Sequence, residues 1–253
     1  MLITEKKFGI YKIVNIFFVE EPVMVNIPDC DVVIYHTYKN WGDVEGFDRI
    51  QYPTTTIDLS QGIDDIWKKI HRQHKRHIRR AEKNGTKVSV SNNFAEFQRI
   101  YKRFLKQKNY ADPSGLNIPS SKFIQKYGTL FIAENQGEIL AGHVYFHDED
   151  NALLVNGAYQ IFGNTIDKYK LSADASCYLQ WKAIQYFKNL DVINYDLGAL
   201  KAGEINIHHK MPGLNYYKLS FGGKVITQYE YRKFNSRFNK LLFQSWNFLR
   251  SAL

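Results

Sequence analysis

Residues 128–159 read GTLFIAENQGEILAGHVYFHDEDNALLVNGAY, and the period of this stretch decides the fold. Apolar and β-branched residues fill Gly128 to Ala133, Glu138 to Phe146 and Ala152 to Ala158, separated by the turns Glu134-Asn135-Gln136-Gly137 and His147 to Asn151. Short runs joined by tight turns predict a three-stranded antiparallel meander. Beyond a loop from Gln160 to Lys170, a helix from about Ala173 to Phe187 and a strand from Val192 to Leu197 follow. A helical crossover into a strand reached in parallel makes this a mixed α/β chain. A last strand near Lys224 to Tyr231 precedes a terminal helix over Phe234–Leu253, with Phe238, Leu241, Leu242, Trp246 and Leu249 at helical spacing.

Ahead of the meander the period changes to that of helices. Ile63, Ile66, Trp67, Ile70, Ile78 and Ala81 form one stripe, predicting a single amphipathic helix capped by Ser60 and ended by Asn84-Gly85. Its other face carries Lys68, Lys69, Arg72, Lys75, Arg76, Arg79 and Arg80 with no acid among them. These seven account for most of the net charge of +9, leaving 27 basic against 25 acidic residues elsewhere. The charge is therefore local: a solvated face, a clamp for nucleotide phosphates or a track for tRNA. His74 and His77 interrupt the stripe, so the second half of this helix is expected to border a polar cleft. With His71 they fan across more than a right angle and lack a nearby carboxylate or cysteine, so no metal is expected. A second amphipathic helix carries Phe94, Phe97, Ile100, Tyr101, Phe104 and Leu105 and ends in the turn-rich Asn109 to Pro119.

With 253 residues and 44% apolar content the chain can bury one large core or two small fused ones. It has no run of about eighteen apolar residues, and Met1 to Lys7 carries mixed charge without a signal-peptide apolar region, so a cytoplasmic protein without a membrane span is expected. Cys30 and Cys177 are too few for a disulfide scaffold and are expected as buried thiols.

Two further segments carry a family resemblance. Tyr195-Asp196-Leu197-Gly198 ends the strand after the crossover, and Tyr216-Tyr217-Lys218 stands just ahead of Phe221-Gly222-Gly223. Taken with Asp58 before the basic helix, Ala81 to Gly85 at its end and Gly142 in the meander, this order resembles the Fem-type (FemABX-like) branch of the GNAT acyltransferases over about residues 54–228. The resemblance implies a GNAT-like mixed, mainly antiparallel sheet with flanking helices, in two fused lobes with an abbreviated first lobe. The lobes are expected at 1–110, with the basic helix, and 111–253, the catalytic lobe.

The resemblance also implies transfer of an acyl group to an amine, from acyl-coenzyme A or, in cell-wall members, from an aminoacyl-tRNA. Carried over by position, Lys218 would stabilise the oxyanion. Tyr217, Tyr195, Tyr159, Arg76 and Arg79 would meet substrate, and Lys168, Lys170 and Ser172 would hold coenzyme A phosphates on a loop that lacks the usual glycines. For proton removal Asp196, at a strand end, and His143, inside the meander, stand open, with Asp174, Tyr159 or a water chain as further choices. The expected reaction is N-acylation of a small acceptor such as a nucleotide-linked amino sugar for cell-surface glycan, with acyl-coenzyme A as co-substrate and no metal. The alternatives are an aminoacyl-tRNA dependent ligase acting on a peptidoglycan precursor and a non-catalytic RNA-binding module.

Overall fold

The computed structural model describes residues 1–8, 11–21, 30–108, 121–161, 166–200, 213–241 and 243. Chain order runs β1 (Leu2–Phe8), β2 (Tyr11–Phe17), β3 (Val32–Thr37), β4 (Phe47–Asp58), α1 (Ile63–Lys69), α2 (Arg72–Lys83), β5 (Lys87–Ser91) and α3 (Phe94–Gln107). It continues with α4 (Ser121–Tyr127), β6 (Thr129–Asn135), β7 (Glu138–His147), β8 (Asn151–Tyr159), α5 (Ile166–Lys188), β9 (Asn194–Ala199), α6 (Leu214–Leu219) and β10 (Lys224–Phe234). Contacts divide the chain into two compact units, Met1–Thr54 with Ala199–Ile205 and Val225–Leu253, and Thr55–Gly198 with Asn206–Lys224.

In the first unit β1 pairs antiparallel with β2, β2 parallel with β3, and β3 antiparallel with β10. Val14, Ile16, Val33, Tyr35 and Tyr231 form its core, and the Trp41 ring stacks on Tyr231 at 4.6 Å. Tyr231 Oη also accepts from the Trp41 backbone N–H at 2.8 Å, so one aromatic pair closes the loop before β4. Cys30 is buried here as a free thiol. Phe238 and Leu241, expected on the packed face of a terminal helix, are 67% and 61% exposed. The remaining residues of that stripe, Leu242, Trp246 and Leu249, lie outside the described residues, as does the turn region Asn109 to Pro119.

The second unit holds the sheet order β9-β8-β7-β6-β5, antiparallel except for the β8–β9 pair. The meander is where its pattern puts it, with Gln136 and Gly137 at φ 50° and 80° making the first hairpin turn. Alternation then assigns side chains to two faces. Phe131 and Ala133 of β6 join Ile78 and Ala81 of α2 and Ala175, Leu179 and Ile184 of α5 on one side. Leu130 and Ile132 join Phe94, Phe97 and Ile100 of α3 and Ile124 of α4 on the other. Gly142 serves the second face: a Cβ there would lie 2.5 Å from the Phe97 ring. Because α2 packs on α5, the basic helix belongs with the meander, and the compact units do not follow a division at residue 110.

The single helix expected over residues 60–84 is two. Ile70 and His71 are extended, at ψ 133° and 142°, and His71 rather than Ser60 caps α2 by accepting from Gln73 N. Tertiary contacts explain the break. Ile70 turns into the core at 2% exposure, and His71 N donates to Ser220 O at 2.8 Å. The turn after α6 presses on the same point, since a Cβ on Gly222 (φ 78°) would lie 2.6 Å from Lys69 O. Gly223 approaches Thr56 O in the same way, its Cβ position being 2.8 Å away, and Phe221 is fully buried. The Phe-Gly-Gly motif is thus a close backbone contact in which only glycine fits. Gly222→Ala is expected to destabilise the protein by about 3 kcal/mol or more, through positive φ and overpacking together, as read from a denaturant midpoint.

Candidate active site

The short helix α6 begins after Gly213, whose φ of 70° turns the chain into it, and it buries Asn215 and Lys218. Tyr217 and Lys218 border a cavity of about 590 Å³ whose walls also include His74 and His77 of α2, His143 of β7 and Tyr159 of β8. The cavity opens where the sheet parts. The parallel ladder between β8 and β9 covers only Asn151–Leu153 against Asn194–Asp196, and beyond it Leu154 to Tyr159 and Leu197 line the space. A register shift at Val144/Tyr145 of β7 bends β8 at the same level.

At this divergence the two resemblance motifs meet. Lys218, 8% exposed, places Nζ beside Gly198: a Cβ on Gly198 would lie 3.3 Å from Nζ and 3.1 Å from Leu154 O. Gly198 stands at φ 82°, held by a 2.6 Å hydrogen bond from its N–H to Asp196 Oδ1. Burial lowers the Lys218 pKa from 10.5 to about 8, and the Asp196 carboxylate opposes that fall. Near neutral pH the group is therefore a mostly protonated ammonium with little water around it. Asp196 itself is fully buried and does not line the cavity. Its position makes it the internal anion that faces the Lys218 charge.

His143 lines the cavity but is held from behind. Nε2 lies 3.1 Å from Ser176 Oγ and Nδ1 3.3 Å from Tyr145 Oη, and burial lowers its pKa to about 3. Tyr195 Oη donates to Tyr145 Oη at 2.9 Å, Tyr145 Oη to Gln180 Oε1 at 3.3 Å, and Gln180 Nε2 back to Tyr195 Oη at 2.6 Å. Tyr195 is thereby buried in a closed polar ring and is not among the residues that line the cavity. Tyr217 joins the same network, its Oη lying 3.4 Å from Ser176 Oγ. His74 is 4% exposed, with Nε2 3.2 Å from Tyr217 O and a pKa lowered to about 4, chiefly by burial.

The remaining sequence candidates are placed as follows. Tyr159 is at the cavity rim, with Oη 3.3 Å from Tyr169 Oη and Lys108 Nζ 5.7 Å from the centre of each ring. Arg76 and Arg79 are exposed on the other side of α2 and do not line the cavity; the Arg79 guanidinium lies 5.8 Å from the Trp67 ring. Lys168 and Lys170 are also outside it, near Glu138 (3.9 Å) and Asp167 (3.7 Å). Ser172 is not a helix cap, because α5 already begins at Ile166; its hydroxyl is buried without a hydrogen-bond partner among the described residues. Cys177 is a buried free thiol whose pKa burial pushes up.

His77 and Asp174 were each visible in the sequence, but their meeting was not. His77 Nδ1 lies 2.5 Å from Asp174 Oδ1, and Arg80 donates to both Asp174 oxygens, Nε at 2.8 Å and Nη2 at 2.7 Å. His77 and Arg80 stand one turn apart, but Asp174 is 97 positions from His77, and only the packing of α2 on α5 joins them.

No family model matches the sequence, and no curated protein matches it. Among solved structures, FemX superposes with a TM-score of 0.64 at 12% identity, over 96% of this chain and 85% of FemX. L-PGS from Bacillus licheniformis gives 0.53 at 12% identity, over 95% and 83% of the two chains. A C-terminal domain from Agrobacterium fabrum, assigned to a lysylphosphatidylglycerol synthetase, gives 0.55 at 11%, over 98% and 85%. At these identities the likeness is one of fold, and the fold this chain shares is that of FemX.

The glycine at 198 makes the Lys218 position testable. Gly198→Ala is expected to push the ammonium out of its buried place, so that the Lys218 titration, followed by NMR of labelled lysine, moves from about 8 towards 10.5.

Proposed function

We propose that this Fem-type, GNAT-like chain is a transferase that moves an aminoacyl group from aminoacyl-tRNA to an amine held in the cavity. One observation carries the reading: a buried ammonium, Lys218, at the point where β8 and β9 part. When an amine attacks an ester or thioester carbonyl, the carbonyl oxygen gains a full negative charge in the tetrahedral intermediate. A fixed cation in a poorly hydrated site stabilises that charge more than the neutral ground state, which is the condition for accelerating the step. Asp196 supports this role by keeping Lys218 protonated near neutral pH. Tyr217, beside it on α6, and Tyr159 at the rim would shape the acceptor and donor ends of the cavity.

The choice of donor rests on α2. One face of this helix gives Gln73, His74 and His77 to the cavity, while Arg72, Arg76 and Arg79 are exposed elsewhere on it. A nucleic acid could follow the arginines while its acylated end enters the cavity. A compact diphosphate inside the cavity would not touch them. In the Fem-type family that the sequence resembles, the cell-wall members take this donor.

A second reading keeps acyl-coenzyme A as donor and a nucleotide-linked amino sugar as acceptor. It is favoured by the Lys108 ammonium above the Tyr159 and Tyr169 rings, a cation with two aromatic faces suited to a nucleotide's base and phosphate. Direct turnover assays with charged tRNA and with acetyl-coenzyme A, each with amine acceptors, separate the two. Transfer from acetyl-coenzyme A alone would overturn the tRNA reading.

Three outcomes are expected. Lys218→Ala lowers kcat by about 10²–10³-fold with the folded structure intact by circular dichroism. In wild-type enzyme kcat falls as pH rises through about 8, because the lysine loses its proton there. Arg76→Ala weakens tRNA binding for every sequence and reduces the salt-dependence slope by about 1, measured by titration at several ionic strengths.

A further inference from the structure

Transfer to an amine also requires a group that accepts the amine proton, and the two residues expected to do so are poorly arranged. Asp196 does not line the cavity and bonds the Gly198 N–H. His143 has both ring nitrogens within hydrogen-bond distance of buried partners. We infer that His77 is the general base of the transfer proposed above, with Asp174 and Arg80 as the positioning residues that fix its ring and tautomer.

The proton between His77 and Asp174 sets the tautomer of the ring. A ring nitrogen 2.5 Å from a carboxylate oxygen needs a hydrogen between them. Asp174 is 5% exposed in its side chain and accepts two hydrogen bonds from the Arg80 guanidinium, an arrangement that holds it as a carboxylate. Arg80 Nη2, which carries two hydrogens, lies 2.8 Å from His77 Nδ1 as well as 2.7 Å from Asp174 Oδ1, but the Nδ1–Oδ1 contact is the shortest of the three, and two lone pairs facing one another there would repel. The hydrogen on the Nδ1–Oδ1 line is therefore the imidazole's own. In the neutral ring this leaves the lone pair on Nε2, on a side chain that is 22% exposed and lines the cavity with Lys218. A base oriented by a third group is a general arrangement for proton transfer.

The groups facing His77 do not oppose this state. Asp174 of α5 and Arg80 of α2 compensate one another in charge. His74 on α2, with its ring centre 6.0 Å away, stays neutral above about pH 4. Cys177 of α5 and Tyr217 of α6, on the same cavity wall, have pKa values raised by burial and are uncharged near neutral pH. The other cations lining the cavity among the described residues are Lys108, over the Tyr159 and Tyr169 rings at the rim, and Lys218, which serves the opposite end of the reaction.

The step balances without a further reactant. The amine nitrogen bonds to the donor carbonyl carbon while its proton passes to His77 Nε2, and the carbonyl oxygen becomes an oxyanion facing Lys218. Collapse reforms the carbonyl and breaks the bond to the leaving oxygen of the tRNA ribose. That oxygen takes the proton from His77 and leaves as a hydroxyl, returning the base to its first state.

The test has one arm that needs no activity. Imidazole ¹⁵N NMR of the intact protein at pH 7.5 is expected to show His77 protonated at Nδ1 alone, and Asp174→Asn to lose that preference. Protonation at Nε2 alone would overturn the assignment. In turnover with aminoacyl-tRNA, His77→Gln is expected to lower kcat by about 10²–10⁴-fold with donor affinity retained, and to abolish the rise of kcat with pH on the acid side. His77→Ala is expected to regain activity with added imidazole, which a merely structural role does not give. If His77→Gln turns over within a few-fold of wild type with the same acid limb, the base is elsewhere. Absence of transfer by wild type from either donor is a separate result, and it overturns the transfer reading together with this role.

Discussion

The backbone contact between the Phe221-Gly222-Gly223 turn and residues 55–56 and 69 is the constraint on which the site depends. Two glycines allow carbonyls of Lys69 and Thr56 to approach within distances no side chain tolerates. That contact positions α6 and so sets where Lys218 points. It also falls where the basic helix breaks, since Ile70 and His71 become extended and His71 N bonds to Ser220 O. A continuous helix would point its second half in a different direction. The break gives α2 its own orientation, with His74 and His77 on the cavity wall.

Burial does the electrostatic work. Lys218 is kept from water, which lowers its pKa, and Asp196 limits the fall. Behind it the ring of Tyr145, Gln180 and Tyr195, with His143 and Ser176, satisfies several buried polar atoms at once. Such a network is costly when half-filled and stiff when complete, so it fixes the wall on which Tyr217 and His143 stand. The cavity wall combines this neutral polar floor with a single buried lysine, an arrangement suited to charge that appears only during reaction.

Helix α2 divides its surface between two tasks. Ile78 and Ala81 pack on α5, Arg80 reaches across to Asp174 on the same helix, and Gln73, His74 and His77 face the cavity. Arg72, Arg76 and Arg79 remain exposed. The ion pair between Arg80 and Asp174 therefore fastens the helix and at the same time orients His77. A charge run that could have been solvent-facing throughout is used on two sides.

The meander, the crossover and the parallel return were legible because alternation and turn residues act locally, and the motif around Lys218 was legible as a resemblance. Gly142, Gly198, Gly222 and Gly223 were visible as glycines, but their reasons are non-local: each makes room for a ring, an ammonium or a backbone brought from elsewhere in the chain. Ser172 was misplaced because nothing local distinguishes a cap from the second turn of a helix that starts earlier. Tyr195 and Asp196 stood out as part of a motif, and both are buried in β9. By itself the sequence determined the meander, the crossover helix with its parallel return, the local basic face and the motif that carries Lys218, since propensity, period and charge are properties of neighbouring residues. Which groups share a cavity was decided only in the tertiary structure, because His77 meets Asp174 and Lys218 meets Gly198 through packing across long separations.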